Sequence, residues 1–267
     1  MENTPADEIK RIIDALNTPA YEIKRIIEGV ISFGETVSDY VASFEQFRER
    51  FPALLADIHE AIKTFQDHYK RFPIIMVELG WPPMDLYFDE ARAIIDSYDR
   101  DDVEAVRGEV EKFLLAKFDS EEIGQIVSSW AKAGWSTKRM PILQQAINSH
   151  HEGKFYVSVP AFLTQLEGVI ADHFGHRGRM RQSNLAKCYN ALLSCKDKLS
   201  FDDAVKKFLF EIVLVDFEHG CPLKSSLSRH AILHGADTDY GTAVNSLKAI
   251  LLFDYIQVKV RTGTVKA

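Results

Sequence analysis

Apolar residues recur at spacings of three and four along most of this chain, which is the pattern of one face of an α-helix. Between residues 35 and 70 they alternate with polar positions in this way, and Pro52 marks a break or a restart between helices. The pattern is made by Val37, Tyr40, Val41, Phe44, Phe47, Phe51, Leu54, Leu55, Ile58, Ile62 and Phe65. This region is therefore predicted to be helical.

Start and stop signals continue the pattern to the middle of the chain. Gly80-Trp81-Pro82-Pro83 predicts a stiff turn that cannot lie inside a helix. Helices are predicted at about 86–98, 101–117 and 120–133, and the last two begin with acidic residues that favour a helix N-terminus. The pattern is interrupted at 133–137, so we place a domain boundary between residues 135 and 136.

The second half shows the same periodicity. Helices are predicted at about 139–152, after a Tyr156–Pro160 lead-in as far as Phe174, and at about 183–195, 201–215 and 240–258. The last of these is apolar nearly all round, which is typical of a buried helix or of a dimer seam. The prediction is an all-α protein, with an N-terminal helical accessory region at 1–135 and a C-terminal helical domain at 136–267.

A short tandem repeat opens the chain. Residues 4–13 return at 18–27 with a shift of fourteen residues, so the isoleucines of both copies can lie on one helical face. The repeat is compatible with a docking helix for a partner. It is equally compatible with a local duplication that lengthened a packing helix, because two copies do not make a solenoid.

Composition narrows the class of protein. Hydrophobic residues make up 46% and charged residues 27%, which suits a packed globular core. The net charge of −7 argues against general coating of nucleic acid but allows a local basic groove. Three cysteines without a CxxC spacing fit a reducing compartment. There is no apolar signal core and no run long enough for a membrane span, so we expect a cytoplasmic protein that contacts no membrane.

The candidate chemistry lies at 227–235, where Arg229, His230 and His234 stand in an apolar segment that ends at Gly235. A guanidinium offers a fixed fork of donors for phosphate oxygens, and an imidazole exchanges a proton near neutral pH. Together they indicate phosphodiester chemistry, most naturally on RNA. Positions five apart on a helix point about 140° apart. Arg229 and His234 therefore converge on one phosphate only if the segment is irregular or the site is shared between subunits.

Two further residues are candidates for support of this site. Glu167 stands in a nearly apolar helix, where it either pairs with Arg229 or faces outward. Asn245 either reaches the same cleft from the last helix or serves only in the first turn of that helix.

A basic stretch follows Gly175. Its arginines, Arg177, Arg179 and Arg181, are candidates for RNA phosphate contacts, and a solubilising loop is the alternative. The sequence contains no glycine-rich phosphate loop, metal-ligand cluster or serine nucleophile elbow. The pair His150-His151 makes a weak metal site, because neighbouring helical residues do not face one way. No metal and no cofactor is expected.

The stretch Arg229-His230-Ala231-Ile232-Leu233-His234 resembles the signature of the HEPN superfamily of small α-helical nucleases, in which a polar residue follows the arginine. The placement before a leucine-rich last helix is similar to a bacterial branch found in phage-defence and toxin proteins. The resemblance covers about residues 139–260, and residues 1–135 lie outside it.

The resemblance implies a metal-independent endoribonuclease that acts as a homodimer. We expect it to be held in check either by an inhibitory or antitoxin partner or by the N-terminal helical region. Attack by the 2′-hydroxyl of the RNA would leave a cyclic phosphate, with Arg229, His234 and His230 as catalytic residues. The alternative is a non-catalytic HEPN module or helical scaffold that binds RNA, nucleotide or a protein partner.

Overall fold

A computed structural model describes residues 69–133, 137–193 and 200–262, together with Ala56 and Lys63. Throughout these ranges the chain forms helices joined by loops, and no strand occurs within them. The predicted all-α fold is thus confirmed. The fourteen-residue repeat, the helices expected before residue 69 and the interruption at 134–136 lie outside the described residues.

The helices follow one another closely. Those that were predicted have bounds near the predicted ones, whereas the helices at 69–78 and 229–233 were not predicted. The helices are 69–78 (α1), Phe88–Arg100 (α2), Val103–Lys117 (α3), Ser120–Ala133 (α4), Met140–His151 (α5), Phe155–His173 (α6), Gln182–Leu192 (α7), Phe201–Phe208 (α8), Arg229–Leu233 (α9) and Ala243–Thr262 (α10). Contacts divide the chain into two compact units, Met1–Asp67 and His68–Ala267. The helices on both sides of the predicted boundary at 135/136 belong to the second unit, and that boundary stays a prediction.

Helices α6 and α10 form the centre of the core. Trp130 of α4 lies against Phe162 of α6 and Phe253 of α10, with ring centroids 6.2 and 5.1 Å apart, and its indole nitrogen donates to Asp254 at 2.7 Å. The buried residues of α10 are Asn245, Ser246, Leu247, Ala249, Ile250, Leu251, Leu252, Phe253, Ile256 and Gln257. Burial within one chain accounts for the apolar character of this helix, and its use as a dimer seam stays a prediction.

Side-chain caps fix helix starts at positions that the sequence marks. The carboxylate of Asp102 accepts hydrogen bonds from the backbone N–H groups of Glu104 and Ala105 just before α3. The hydroxyl of Ser200 accepts one from the N–H of Asp203 before α8. Each cap satisfies N–H groups that have no partner inside the helix, which is why these helices begin where they do.

Helix α6 begins before Pro160 and contains it, so the expectation that the Tyr156–Pro160 segment only leads into the helix was wrong. Proline has no N–H, and the carbonyl four residues earlier therefore loses its helical donor. That carbonyl belongs to Tyr156, and the hydroxyl of Tyr240 donates to it at 3.2 Å. A side chain from the loop before α10 thus compensates for the proline.

The helix predicted at 201–215 is also modified, because Leu209–Val213 adopt π-helical geometry after α8. The N–H of Leu214 donates to the carbonyl of Leu209, five residues earlier, at 2.7 Å. The side chain of Gln182 donates in turn to the carbonyl of Leu214 at 2.8 Å. A π-turn changes the direction of the chain that follows it, and here that chain leads into the candidate site.

Among the described residues, the helices are either too short or too polar to cross a lipid bilayer.

Candidate functional site

The candidate site is built on α9, whose start is fixed by Ser228. Its hydroxyl oxygen accepts a hydrogen bond from the N–H of Ala231 at 3.3 Å and donates to the carbonyl of Val215 at 3.0 Å. Ser228 is buried, as is Leu227 before it. One side chain therefore caps the helix and ties it to the segment that follows the π-helical turn.

The end of α9 is a glycine stop. Gly235 has a φ of +73°, a left-handed conformation that glycine adopts without strain. The N–H of Gly235 donates to the carbonyl of Ile232 at 3.2 Å, and the N–H of Ala236 donates to that of Ala231 at 2.8 Å. This pair of bonds is a Schellman motif, which leaves His234 as the C-cap residue. The prediction that Gly235 ends this segment is confirmed.

Arg229 at the start of α9 forms an ion pair with Glu167 of α6. The Arg229 side chain is 16% exposed and that of Glu167 is 26% exposed, so both charges are largely shielded from water. Of the two alternatives for Glu167, the structure shows the pair. The guanidinium Nε is buried and has no hydrogen-bond partner. One donor of the fork is therefore left over beside the ion pair.

Two imidazoles and a phenyl ring form a row on the other side of α9. His230 and His234 are four positions apart and thus share a helix face, with ring centroids 6.1 Å apart and 24° between their planes. Phe217 lies on the far side of His234, at 6.1 Å and 28°. His234 is exposed, whereas His230 and Phe217 are half-buried. We call these three side chains the ring row.

The structure thus pairs the predicted residues differently from the sequence. The sequence predicts that Arg229 and His234 converge only if the segment is irregular or the site is shared between subunits. Within this chain α9 is regular as far as Leu233, Arg229 contacts Glu167, and His234 lies against His230, so a site shared between subunits stays a prediction. The side chains that come together within one chain are the two histidines.

Within the ring row, the surroundings of His230 shift its pKa. Burial lowers the pKa of His230, and the nearby positive charge of Arg229 lowers it further, while Asp216 acts in the opposite direction. Its Nε2 atom is buried without a hydrogen-bond partner. A lowered pKa keeps this imidazole neutral at pH 7, so it is able to accept a proton.

Tyr189 of α7 is fully buried next to the ion pair. Burial is the main reason that the pKa of its phenol is raised, and Arg229 and Glu167 act on it with opposite signs. The phenol therefore stays protonated at any ordinary pH. Nothing in its local sequence marks Tyr189 as a neighbour of the site, because α7 comes from a distant part of the chain. Phe217 was missed for a similar reason, since it stands in a loop without periodicity.

Asn245 holds loops together beneath the site. It is buried, and its amide donates to the carbonyls of Ser226 at 2.9 Å and Tyr240 at 3.1 Å. Both amide hydrogens are therefore committed to backbone. This geometry gives Asn245 a structural task at the two ends of the α9 region.

The basic stretch lies in the loop between α6 and α7, and Arg177, Arg179 and Arg181 are all exposed there. Their guanidinium groups form no ion pair with any other residue that the structure describes. His176 lies within the same loop, with a buried Nε2 atom that lacks a partner. The loop therefore presents unneutralised positive charge, as either of its two predicted roles requires.

Within the described ranges, no three histidine, cysteine, aspartate or glutamate side chains are grouped so that they could hold a metal ion. The fold and the site define an all-α protein in which a short helix, α9, places two histidines next to an arginine that is paired with a glutamate. Comparison with models of known protein families, with characterised proteins and with solved structures found no match to this chain.

Proposed function

We propose that the α9 region is the active site of a metal-independent endoribonuclease of the HEPN type, which acts in phage defence or as a toxin. The observation that carries the proposal is the meeting of two imidazoles, His230 and His234, next to an arginine with a donor to spare. RNA cleavage without a metal needs a proton acceptor, a proton donor and positive charge at the phosphate.

The reaction assigns one task to each of these groups. The exposed imidazole of His234 accepts the proton of the 2′-hydroxyl. The 2′-oxygen then forms a bond to phosphorus, and the bond from phosphorus to the 5′-oxygen breaks. The leaving 5′-oxygen takes up the proton that His234 has just gained, and His230, kept neutral by its surroundings, serves as a second proton acceptor. The guanidinium of Arg229, released from Glu167 by the competing phosphate, donates to a phosphate oxygen while negative charge builds up there.

The exposed arginines of the basic loop would contact the RNA backbone outside the reacting phosphate. Such contacts add affinity without base specificity, and they weaken as salt is added. We expect Arg177, Arg179 and Arg181 to affect RNA binding much more than the cleavage rate.

One observation favours a second candidate function. The carboxylate of Glu167 already neutralises Arg229, and a substrate phosphate has to compete with it. A module that binds RNA, nucleotide or a protein partner without cutting anything would tolerate this ion pair equally well. The two candidates differ in whether the histidines are needed.

The decisive experiment is an RNA-cleavage assay in EDTA with purified protein. We compare the wild type with His234→Ala, Arg229→Ala and Arg229→Lys, and use His173→Ala as the matched control. We expect His234→Ala to reduce the rate about a hundredfold or more, as loss of a general base does. Arg229→Lys should also be impaired, because the planar fork is lost. Products should end in a cyclic phosphate.

Each other outcome has a distinct meaning. Cleavage that is unchanged in His234→Ala would exclude this active site. Binding of RNA without cleavage by the wild type, lost in Arg229→Ala, would favour the non-catalytic module.

We also propose that the protein acts as a homodimer with an inhibitory partner in the cell. A two-fold axis would bring two copies of α9 to one RNA and would double the available imidazoles. Molecular mass in solution, measured by light scattering across a concentration series, tests this part; a monomer at every concentration would exclude it.

A further inference from the structure

His234 is held in an unusual way for a proposed catalytic histidine. Its imidazole makes no hydrogen bond to any other residue in the part of the chain that the structure describes. A histidine that transfers protons is commonly oriented by a hydrogen bond to its second nitrogen. The ring contacts that His234 does make are with His230 and Phe217, whose centroids each lie 6.1 Å from its own, with interplanar angles of 24° and 28°.

His230 and Phe217, the two rings next to His234, are held in place by different parts of the chain. His230 is part of α9 itself, so it moves with His234. Phe217 comes from the loop after the π-helical turn, and it is held independently. The ring of His219 packs edge-on against it, with centroids 5.0 Å apart and planes at 80°. The carbonyl of Val215, two residues earlier, accepts the hydrogen bond from Ser228 at the start of α9.

The loop and the helix are therefore fixed to each other within two residues of Phe217. Phe217 is therefore placed close to α9, and its ring lies 28° from parallel with the ring of His234. Both aromatic neighbours of Phe217, His219 and His234, are exposed imidazoles, so these contacts add little to the burial of the core. The contact restricts the orientation of His234 more than it stabilises the fold.

We propose that Phe217 is a positioning residue that sets the ring plane of His234 for proton transfer. This inference rests on the proposed ribonuclease function for its consequence, but the contact can be tested without RNA. A displacement of a reacting group by about 1 Å can cost up to about a hundredfold in rate, so loss of the Phe217 ring should be visible in turnover.

The test compares Phe217→Leu, which keeps apolar volume but loses the ring, with Phe217→Tyr, which keeps the ring. The RNA-independent readout is the NMR signal of the His234 imidazole, assigned with His234→Gln. A neighbouring ring shifts this signal by its ring current. We expect the shift to be lost in Phe217→Leu and retained in Phe217→Tyr, while the unfolding temperature of all three proteins stays nearly equal. Phe217→Met replaces the leucine variant if that variant does not fold.

The second readout is RNA cleavage. We expect kcat to fall about tenfold in Phe217→Leu and to recover in Phe217→Tyr, with KM unchanged, because Phe217 acts through His234 and not on the RNA. A His234 signal that is identical in wild type and Phe217→Leu would overturn the inference. So would an active wild type whose kcat does not depend on Phe217. If the wild type cleaves no RNA, the proposed function fails alone, and the NMR comparison still decides whether Phe217 orients the ring.

Discussion

The hydroxyl of Tyr240 donates to the carbonyl of Tyr156 at 3.2 Å, and this carbonyl is the one that Pro160 deprives of its helical partner. The two tyrosine rings also pack edge to face at 5.2 Å. Gly241 lies so close that a Cβ atom there would come within 2.5 Å of the Tyr156 ring. The loop between α9 and α10 is thereby attached to the first turns of α6.

This relationship predicts a coupling between two substitutions. Tyr240→Phe should lower the free energy of unfolding by about 1 kcal/mol, because it leaves the Tyr156 carbonyl without a protein donor. In the background of Pro160→Ala the loss should be much smaller, because the new N–H of residue 160 takes over the carbonyl. Urea unfolding of the four proteins of this cycle measures the coupling. Equal losses in both backgrounds would show that the hydroxyl does not compensate for the proline.

At Gly168 of α6 we expect the usual stabilising effect of a glycine-to-alanine substitution to be reversed. An alanine in a helix is usually more stable than a glycine by about 1 kcal/mol. A Cβ atom at Gly168, however, would lie 2.3 Å from the guanidinium of Arg139, which is anchored to Gln165 at 2.7 Å and to Asp172 at 2.6 Å. We expect Gly168→Ala to destabilise the protein by about 1–3 kcal/mol.

Two controls isolate this effect. Gly124→Ala in α4 should stabilise the protein by about 1 kcal/mol, since its Cβ would meet no atom within 4 Å. In the background of Arg139→Ala, Gly168→Ala should also become stabilising. Thermal unfolding of these variants is sufficient, and a stabilised single variant at Gly168 would contradict the expectation.

His150 predicts a pH dependence. Its Nδ1 lies 2.8 Å from the hydroxyl of Ser246, which in turn lies 2.7 Å from the hydroxyl of Ser158. Burial, with a smaller effect of His151, lowers the pKa of His150 to about 4 from its ordinary value of 6.5. The unfolded chain therefore takes up a proton at a higher pH than the folded one.

The resulting stability is fully present above pH 6.5 and is lost as the pH falls towards about 4. After allowance for partial exposure, we expect a loss on the order of 1–2 kcal/mol from this group. Denaturant unfolding at several pH values should show a smaller loss in His150→Gln than in the wild type. His219→Gln, at an exposed position, is the control. A His150→Gln profile parallel to that of the wild type would rule out this source.

Glu167 predicts an effect on RNA binding. If a phosphate has to displace its carboxylate from Arg229, Glu167→Gln should strengthen RNA binding about three- to tenfold, and it should lower stability by about 1 kcal/mol. Asp172→Asn is the matched control, because Asp172 pairs with Arg139 instead. Fluorescence anisotropy with a labelled RNA measures both variants. Weaker binding in Glu167→Gln would mean that the carboxylate orients Arg229 and does not compete with RNA.

Much of the fold follows from local signals in the sequence. The predicted helix at 120–133 matches α4, and the acids and serines at helix starts mark real caps such as Asp102 and Ser200. These signals act within one turn, so a single sequence contains them in full. The differences between the predicted and the observed helices arise from contacts with residues that are distant in the sequence. Pro160 is accommodated inside α6 because Tyr240 supplies a donor to the Tyr156 carbonyl, eighty-four residues away.

In the candidate site, too, local features could be predicted from the sequence and distant partners could not. The spacing of Arg229, His230 and His234 was visible, and so was the glycine that ends the segment. Their partners were not, because the Glu167 carboxylate is sixty-two residues away and Phe217 stands in an irregular loop. The sequence left two alternatives for Glu167, and only the packing of α9 against α6 decides between them.

The enclosure of α10 has a consequence for the order of events during synthesis. Trp130 and Phe162 leave the ribosome well before Phe253, against which both of their rings pack. Until α10 emerges, the apolar side chains that pack against it stay exposed on the nascent chain. The α9 region, which depends on Asn245 of α10, therefore cannot form completely before α10 has been synthesised.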